Sequence, residues 1–197
     1  MILVEETQVP DVVLPVVQLR THLRLGTGFA EDDVQDAVLS SFLRAALAAI
    51  EARTSKSLIR RAFLLTLTQW RDASGMVLPI APVTGITGIT LIDKFGAAQN
   101  VDPSGFALRV DAQSPRLVPT GSFLPPVPEL GSAEVRFEAG YAQDFQELPS
   151  DLAQAVLMLA AHYYEYRDET ALSQGCMPFG VTSLIARYRP VRLGMTS

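Results

Sequence analysis

The sequence predicts an α+β protein, a helical bundle built from both chain flanks with a small inserted β domain. Three observations predict it. Residues 60–145 hold eight of the thirteen prolines and eight of the thirteen glycines, a density of turn formers that punctuates short strands. That middle segment alternates apolar and polar residues, whereas both flanks carry apolar residues at helical spacing. The expected organisation is an N-terminal arm (1–14), a helical domain from 15–59 and 146–188, the β domain (60–145) and a C-terminal tail (189–197).

The arm reads as extended, with Ile2, Val4, Val9, Val12 and Val13 expected to pair or pack as strand-like segments. Behind Pro15, a good first-turn residue, Val16, Leu19, Leu23 and Leu25 predict a helix ended by Gly26 and Gly28. A longer helix is expected from Glu31 to Arg53, its acidic start (Glu31, Asp32, Asp33) facing the positive end of the dipole. At ~100° per residue its apolar positions form two adjoining lines: Val34, Val38, Phe42, Ala45 and Ala49 on one, and Leu39, Leu43, Leu47 and Ile50 on the other. Asp33, Ser40, Arg44 and Glu51 share the remaining strip. So wide an arc predicts neighbours on two sides: its own domain, and either the β segment or another subunit. If that second neighbour is another subunit, Val38, Phe42, Leu43, Leu47 and Ile50 are the candidate interface residues.

In the middle, residues 61–70 (RAFLLTLTQW) alternate as a half-buried strand should, and 76–80, 86–93, 106–110 and 133–139 repeat the pattern. Five short strands suggest a small sheet or partial barrel. Residues 115–131, with Pro125, Pro126 and Pro128, read as an exposed loop, because proline cannot donate to a ladder. Gly85 and Gly88 mark a turn or bulge, since no strand-to-helix phosphate loop surrounds them. A last long helix is expected from Pro149 and Ser150 to Asp168, with Leu152, Val156, Leu159, Tyr163 and Tyr166 as its stripe, followed by a short helix over 181–188. From Arg187 onward, Arg187, Arg189 and Arg192 alternate with Tyr188, Val191 and Leu193, a basic amphipathic tail suited to docking on a partner.

Composition narrows function. With 48% hydrophobic and 19% charged residues and a mean hydropathy of +0.22, the chain carries more apolar surface than a monomer of this size hides, so an oligomer is expected. The net charge of −5 opposes tight binding of a phosphate backbone. No apolar run approaches the ~20 residues of a membrane helix, and Glu5, Glu6 and Asp11 leave no basic signal region. Synthesis in the cytoplasm is the simplest expectation. The single cysteine, Cys176, and the two histidines, His22 and His162, form no metal-ligand motif. A Cys176–His162 pair, the one arrangement a small cysteine-dependent enzyme could use, lacks an orienting third group. The expectation is no enzyme, no cofactor and no metal.

Several motifs, taken in order, resemble those of the tailed-phage head-to-tail connector (adaptor) family. These are residues 22–25 (HLRL) before Asp32 and Asp33, residues 48–54 (AAIEART), Trp70 after a strand, Leu78-Pro79 with Pro82-Val83, and Gly140-Tyr141 leading to Pro149. The most specific are residues 161–165 (AHYYE) and 178–181 (PFGV) with Leu184 and Tyr188-Arg189. The resemblance spans roughly residues 15–190 and is to the subgroup with a β insertion, found in prophages and gene transfer agents. The arm and the long apolar helix are most similar to the gene transfer agent head-tail adaptor. What it implies is a structural ring, typically dodecameric, in the virion neck between the portal protein and a stopper or other neck protein, through which DNA passes without specific binding. The C-terminal segment, here Arg187, Tyr188, Arg189, Arg192 and Leu193, would engage the portal. A stopper or tail terminator of the same neck is the alternative within the particle; such proteins are β-rich, and two long helices argue against it.

Overall fold

The computed structural model describes residues 1–25, 32–167 and 177–190. The chain divides into two compact units, one formed by Met1–Gln8 and Ile59–Tyr141, the other by Val9–Leu58 and Ala142–Ser197. The first is all β and the second is helical among its described residues.

The β unit holds eight strands in two antiparallel sheets. Strands β1 (Ile2–Glu5), β2 (Arg61–Leu67), β8 (Ser132–Ala139), β4 (Val83–Ile92) and β5 (Ala98–Asn100) lie in that order in the larger sheet. The smaller has the order β3 (Met76–Val77), β7 (Arg116–Pro119), β6 (Phe106–Arg109). In β2 the alternation of the sequence becomes an alternation of burial: Phe63, Leu65 and Leu67 face the core while Ala62, Leu64 and Thr66 are half-buried on the other face. Phe63 lies opposite Phe137 of β8, and the rings stack with centroids 5.6 Å apart. Met76, Leu78, Phe106, Leu117 and Leu124 complete the same core.

One expectation for this region is met and one is corrected. Residues 1–5 of the arm do pair as a strand, β1 joining β2 from Ile2↔Thr66 to Glu5↔Phe63. Ion pairs Glu5–Arg61 (2.9 Å) and Glu6–Arg136 (3.1 Å) fasten it further. Residues 115–131 are not simply a loop. Arg116–Pro119 is the middle strand of the small sheet, Leu117 and Leu124 are buried, and the Trp70 indole N–H donates to the Pro125 carbonyl at 2.7 Å. Pro119 is tolerated because β7 pairs with β3 only through Arg116 and Leu117, so the missing N–H falls beyond that ladder. Gly85 and Gly88 do mark bulges, where the β4–β8 register shifts.

The ends of the β unit meet at one point. Gly140 has φ +147, and a Cβ there would stand 2.3 Å from the Arg60 Cα, so only glycine fits. Its N–H donates to the Pro82 carbonyl (2.9 Å).

The helical unit contains α1 (Val16–His22), α2 (Asp32–Thr54), α3 (Ser150–Glu165) and α4 (Phe179–Ile185). α1 stops at His22, with Arg24 at φ 55, before the glycines expected to end it; Gly26, Gly28 and Glu31 lie outside the described residues. α2 and α3 pack together, α1 lies against both, and α4 packs on α3. The core joins Leu39, Leu43, Ala46, Leu47 and Ile50 of α2 to Leu152, Val156 and Leu159 of α3. Full burial of one such leucine contributes about 1.5–3 kcal/mol. Salt bridges Arg20–Asp36 and Arg44–Asp11 tie the preceding segments to α2. At its end the Thr54 hydroxyl donates to the Ile50 carbonyl (2.8 Å), and the Glu51 carboxylate accepts the Leu58 N–H (2.7 Å). α3 ends at Glu165, short of the expected Asp168, and the expected helix over 181–188 is α4 plus a 3-10 turn, Ala186–Tyr188.

Replacing Leu117 by Ala separates strand from loop. A fully buried leucine should cost about 2–5 kcal/mol of stability in thermal or urea unfolding, whereas an exposed loop position would cost close to nothing.

Candidate assembly surfaces

The broad apolar arc of α2 splits in two. Leu43, Leu47 and Ile50 are buried inside their own unit, so these three of the five candidate ring-interface residues offer no side-chain surface to a neighbour. The reason is that α1, α3 and the Asp11 segment consume one half of the arc. Val38 is 40% exposed and Phe42 half-buried, its ring edge-on to Tyr164 at 6.1 Å. Ala37, Ser41, Ala45 and Ala48 are exposed beside them. α2 thus presents a stripe of small, uncharged side chains along its open face, against which another backbone can come close. Sequence reasoning placed Ala45 on the apolar arc but missed Ala37, Ser41 and Ala48, because it weighed large side chains.

The C-terminal candidates behave differently from one another. Tyr188 is buried; its hydroxyl donates to the Asp151 carboxylate (2.8 Å), and the Arg187 guanidinium reaches the same carboxylate at 2.7 Å and the Tyr188 hydroxyl at 2.6 Å. Arg187 also lies over the Tyr188 ring at 4.8 Å. Burial pushes the Tyr188 phenol above its ordinary pKa, and the Tyr188 hydrogen bond raises that of Arg187. These two residues therefore latch the 3-10 turn onto the first turn of α3. Arg189 is exposed. Arg192 and Leu193 lie outside the described residues.

His162 sits on α3 with its ring 4.7 Å from that of Tyr166. Cys176 lies outside the described residues. Tyr163 is partly buried, and that burial raises its pKa against the opposing Arg53 charge. Among the described residues no group of three His, Cys, Asp or Glu side chains could hold a metal ion, and no helix is long and apolar enough to cross a membrane.

No family model and no curated protein matches the sequence, but solved structures do. The chain aligns over 99% of its length with 98% of a chain in the neck of an empty gene transfer agent (GTA) particle computed with C6 symmetry, at 49% identity and a TM-score of 0.90. The chain belongs to the family of GTA neck proteins. At the same coverage it is similar to a chain in the virion of a native GTA particle (48% identity, TM-score 0.86) and to one in the neck of a native GTA particle computed with C12 symmetry (45%, 0.85). GTA neck proteins are structural parts of the virion, and the necks of these particles are symmetric about an axis. Identity this high over nearly the whole length carries the α+β architecture with it.

Removing the latch hydroxyl should loosen only its own segment. In Tyr188→Phe, amide exchange over residues 181–188 should speed up by the equivalent of about 0.5–1.5 kcal/mol, with the α2–α3 core unchanged. Equal protection in the variant and the parent would show that the hydrogen bonds are dispensable.

Proposed function

We propose that this protein is the head-tail adaptor of a phage-like particle: one subunit of a ring, a dodecamer, that stands between the portal and the next neck protein and gives DNA a conduit. The reading rests on the near full-length similarity to chains of GTA necks computed with C6 and C12 symmetry. The adaptor acts by assembly rather than turnover. Its net charge of −5 suits a passage that must not hold DNA.

A ring needs a heterologous interface, one face of a subunit against a different face of the next. The open face of α2, with Val38 and Phe42 at its apolar end and Ala45 and Ala48 beyond, is one half of that contact. The portal is engaged by the tail. Because Arg187 and Tyr188 are committed to Asp151, the docking groups are those from Arg189 onward, Arg192 and Leu193 included.

Deleting residues 189–197 should leave the subunit folded and abolish its co-purification with portal protein; co-purification at wild-type stoichiometry would contradict the docking role. Val38→Asp should leave the stability measured by thermal unfolding within the few tenths of a kcal/mol usual for an exposed site but lower the amount of this protein in purified particles at least tenfold. Wild-type incorporation would remove the α2 face from the ring contact.

A further inference from the structure

The large sheet of the β unit ends in two open edges, and these are unlike. The Glu6 N–H donates to the Ala62 carbonyl (2.9 Å). By the alternation of an antiparallel ladder, Val4 and Ile2 also bond towards β2, leaving the main-chain groups of Leu3 and Glu5 pointing away from it. At the other end the Asp93 N–H donates to the Ala97 carbonyl (3.0 Å) and the Val101 N–H to the Ile89 carbonyl (2.9 Å). The main-chain groups of Ala98 and Asn100 consequently point away from β4. Among the described residues no further strand pairs with either edge.

Sheet edges that must stay single are kept very short or are guarded by lysine, proline or inward-pointing charge. β1 and β5 are short, at four and three residues, but neither carries a lysine, a proline or an unpaired inward-pointing charge. β5 reads Ala98-Gln99-Asn100, wholly exposed, without charge or proline. β1 exposes Ile2 (64%) and Val4 (48%), and its one charge, Glu5, is paired with Arg61. The register places Ile2, Thr66, Glu134, Thr90 and Asn100 in one row across the sheet. Ile2 and Val4 therefore stand on the same face as Ala98 and Asn100.

We propose that adjacent copies of this chain join edge to edge, β5 of one copy pairing with β1 of the next, so that the sheet runs on across the subunit boundary. The proposal rests on the ring reading above and names a contact within it. Free main-chain donors and acceptors call for a strand as occupant, and a cyclic array needs two different, mutually fitting surfaces on every subunit. One sheet with two unlike edges supplies both. Every pairing in the sheet is antiparallel, so with five strands β1 and β5 run in the same direction. Successive copies in a many-membered ring differ by a small rotation, and the new pairing is therefore parallel.

Two experiments test this in particles assembled by producing cells. Ala98→Pro removes an N–H that faces outward, a position where edge strands accept proline. The variant should melt like the wild type yet fall at least tenfold in its amount per particle. In a Cys176→Ser background, Ile2 or Val4 replaced by Cys is combined with Ala98 or Asn100 replaced by Cys, four double variants in all. Oxidation of purified particles should give a ladder of covalent multimers from at least one of them and from no single variant. Wild-type incorporation of Ala98→Pro, or no ladder from any of the four, overturns the edge contact. A symmetric ring imaged in those same particles would leave the ring reading standing, whereas wild-type necks without this chain would reject both.

Discussion

The fold depends on one close approach, that of Gly140 to Arg60. A β unit spliced into a helical chain disturbs its host least when it begins and ends at one place, and here the start of β2 and the end of β8 are antiparallel partners, Arg61↔Ala139. The backbone just past that pair passes so near Arg60 that no Cβ fits, and φ of +147 is open to glycine alone. With its ends closed in this way, the unit can fill its core from its own strands. The helical unit, resuming at Ala142, fills its own from α1, α2, α3 and α4.

Self-sufficient cores shape what is left for function. Polar groups at the margins of the helical core serve the backbone or one another: Thr54 and Glu51 finish α2, and Asp151 gathers Arg187 and Tyr188. Outside the cores remain a small-residue stripe on α2, open sheet edges and the start of a basic segment at Arg189. These are features by which protein meets protein, and they agree with the placement of the chain among GTA neck proteins.

Much of the fold was legible in the sequence wherever periodicity ran long enough to be distinct. α2, α3, β2 and β8 fall within a few residues of their expected bounds, since a 23-residue helical pattern or a seven-residue alternation has few rival readings. β7 was hidden because its four residues, preceded by Pro115 and ending in Pro119, include only Leu117 and Val118 as strand-like apolar side chains, and the burial of Leu117 is created by strands distant in sequence. The pairing of residues 1–5 with β2 is likewise a tertiary fact. Among the candidate interface residues, hydropathy marks which side chains avoid water and not whose interior receives them. Leu43, Leu47 and Ile50 went to the subunit's own core, and Val38 stayed outside. The tail divides for a similar reason, because nothing in the run from Arg187 reveals that Asp151 already holds its first two residues.

The central claim is that this chain works as a repeated structural element of the neck. It is tested most directly by a symmetry-free electron cryomicroscopy reconstruction of the necks of particles made by cells that carry it. The account predicts density for this fold repeated around the axis in a closed ring next to the portal. A complete neck in which this fold is absent, or present as a single copy, would contradict it.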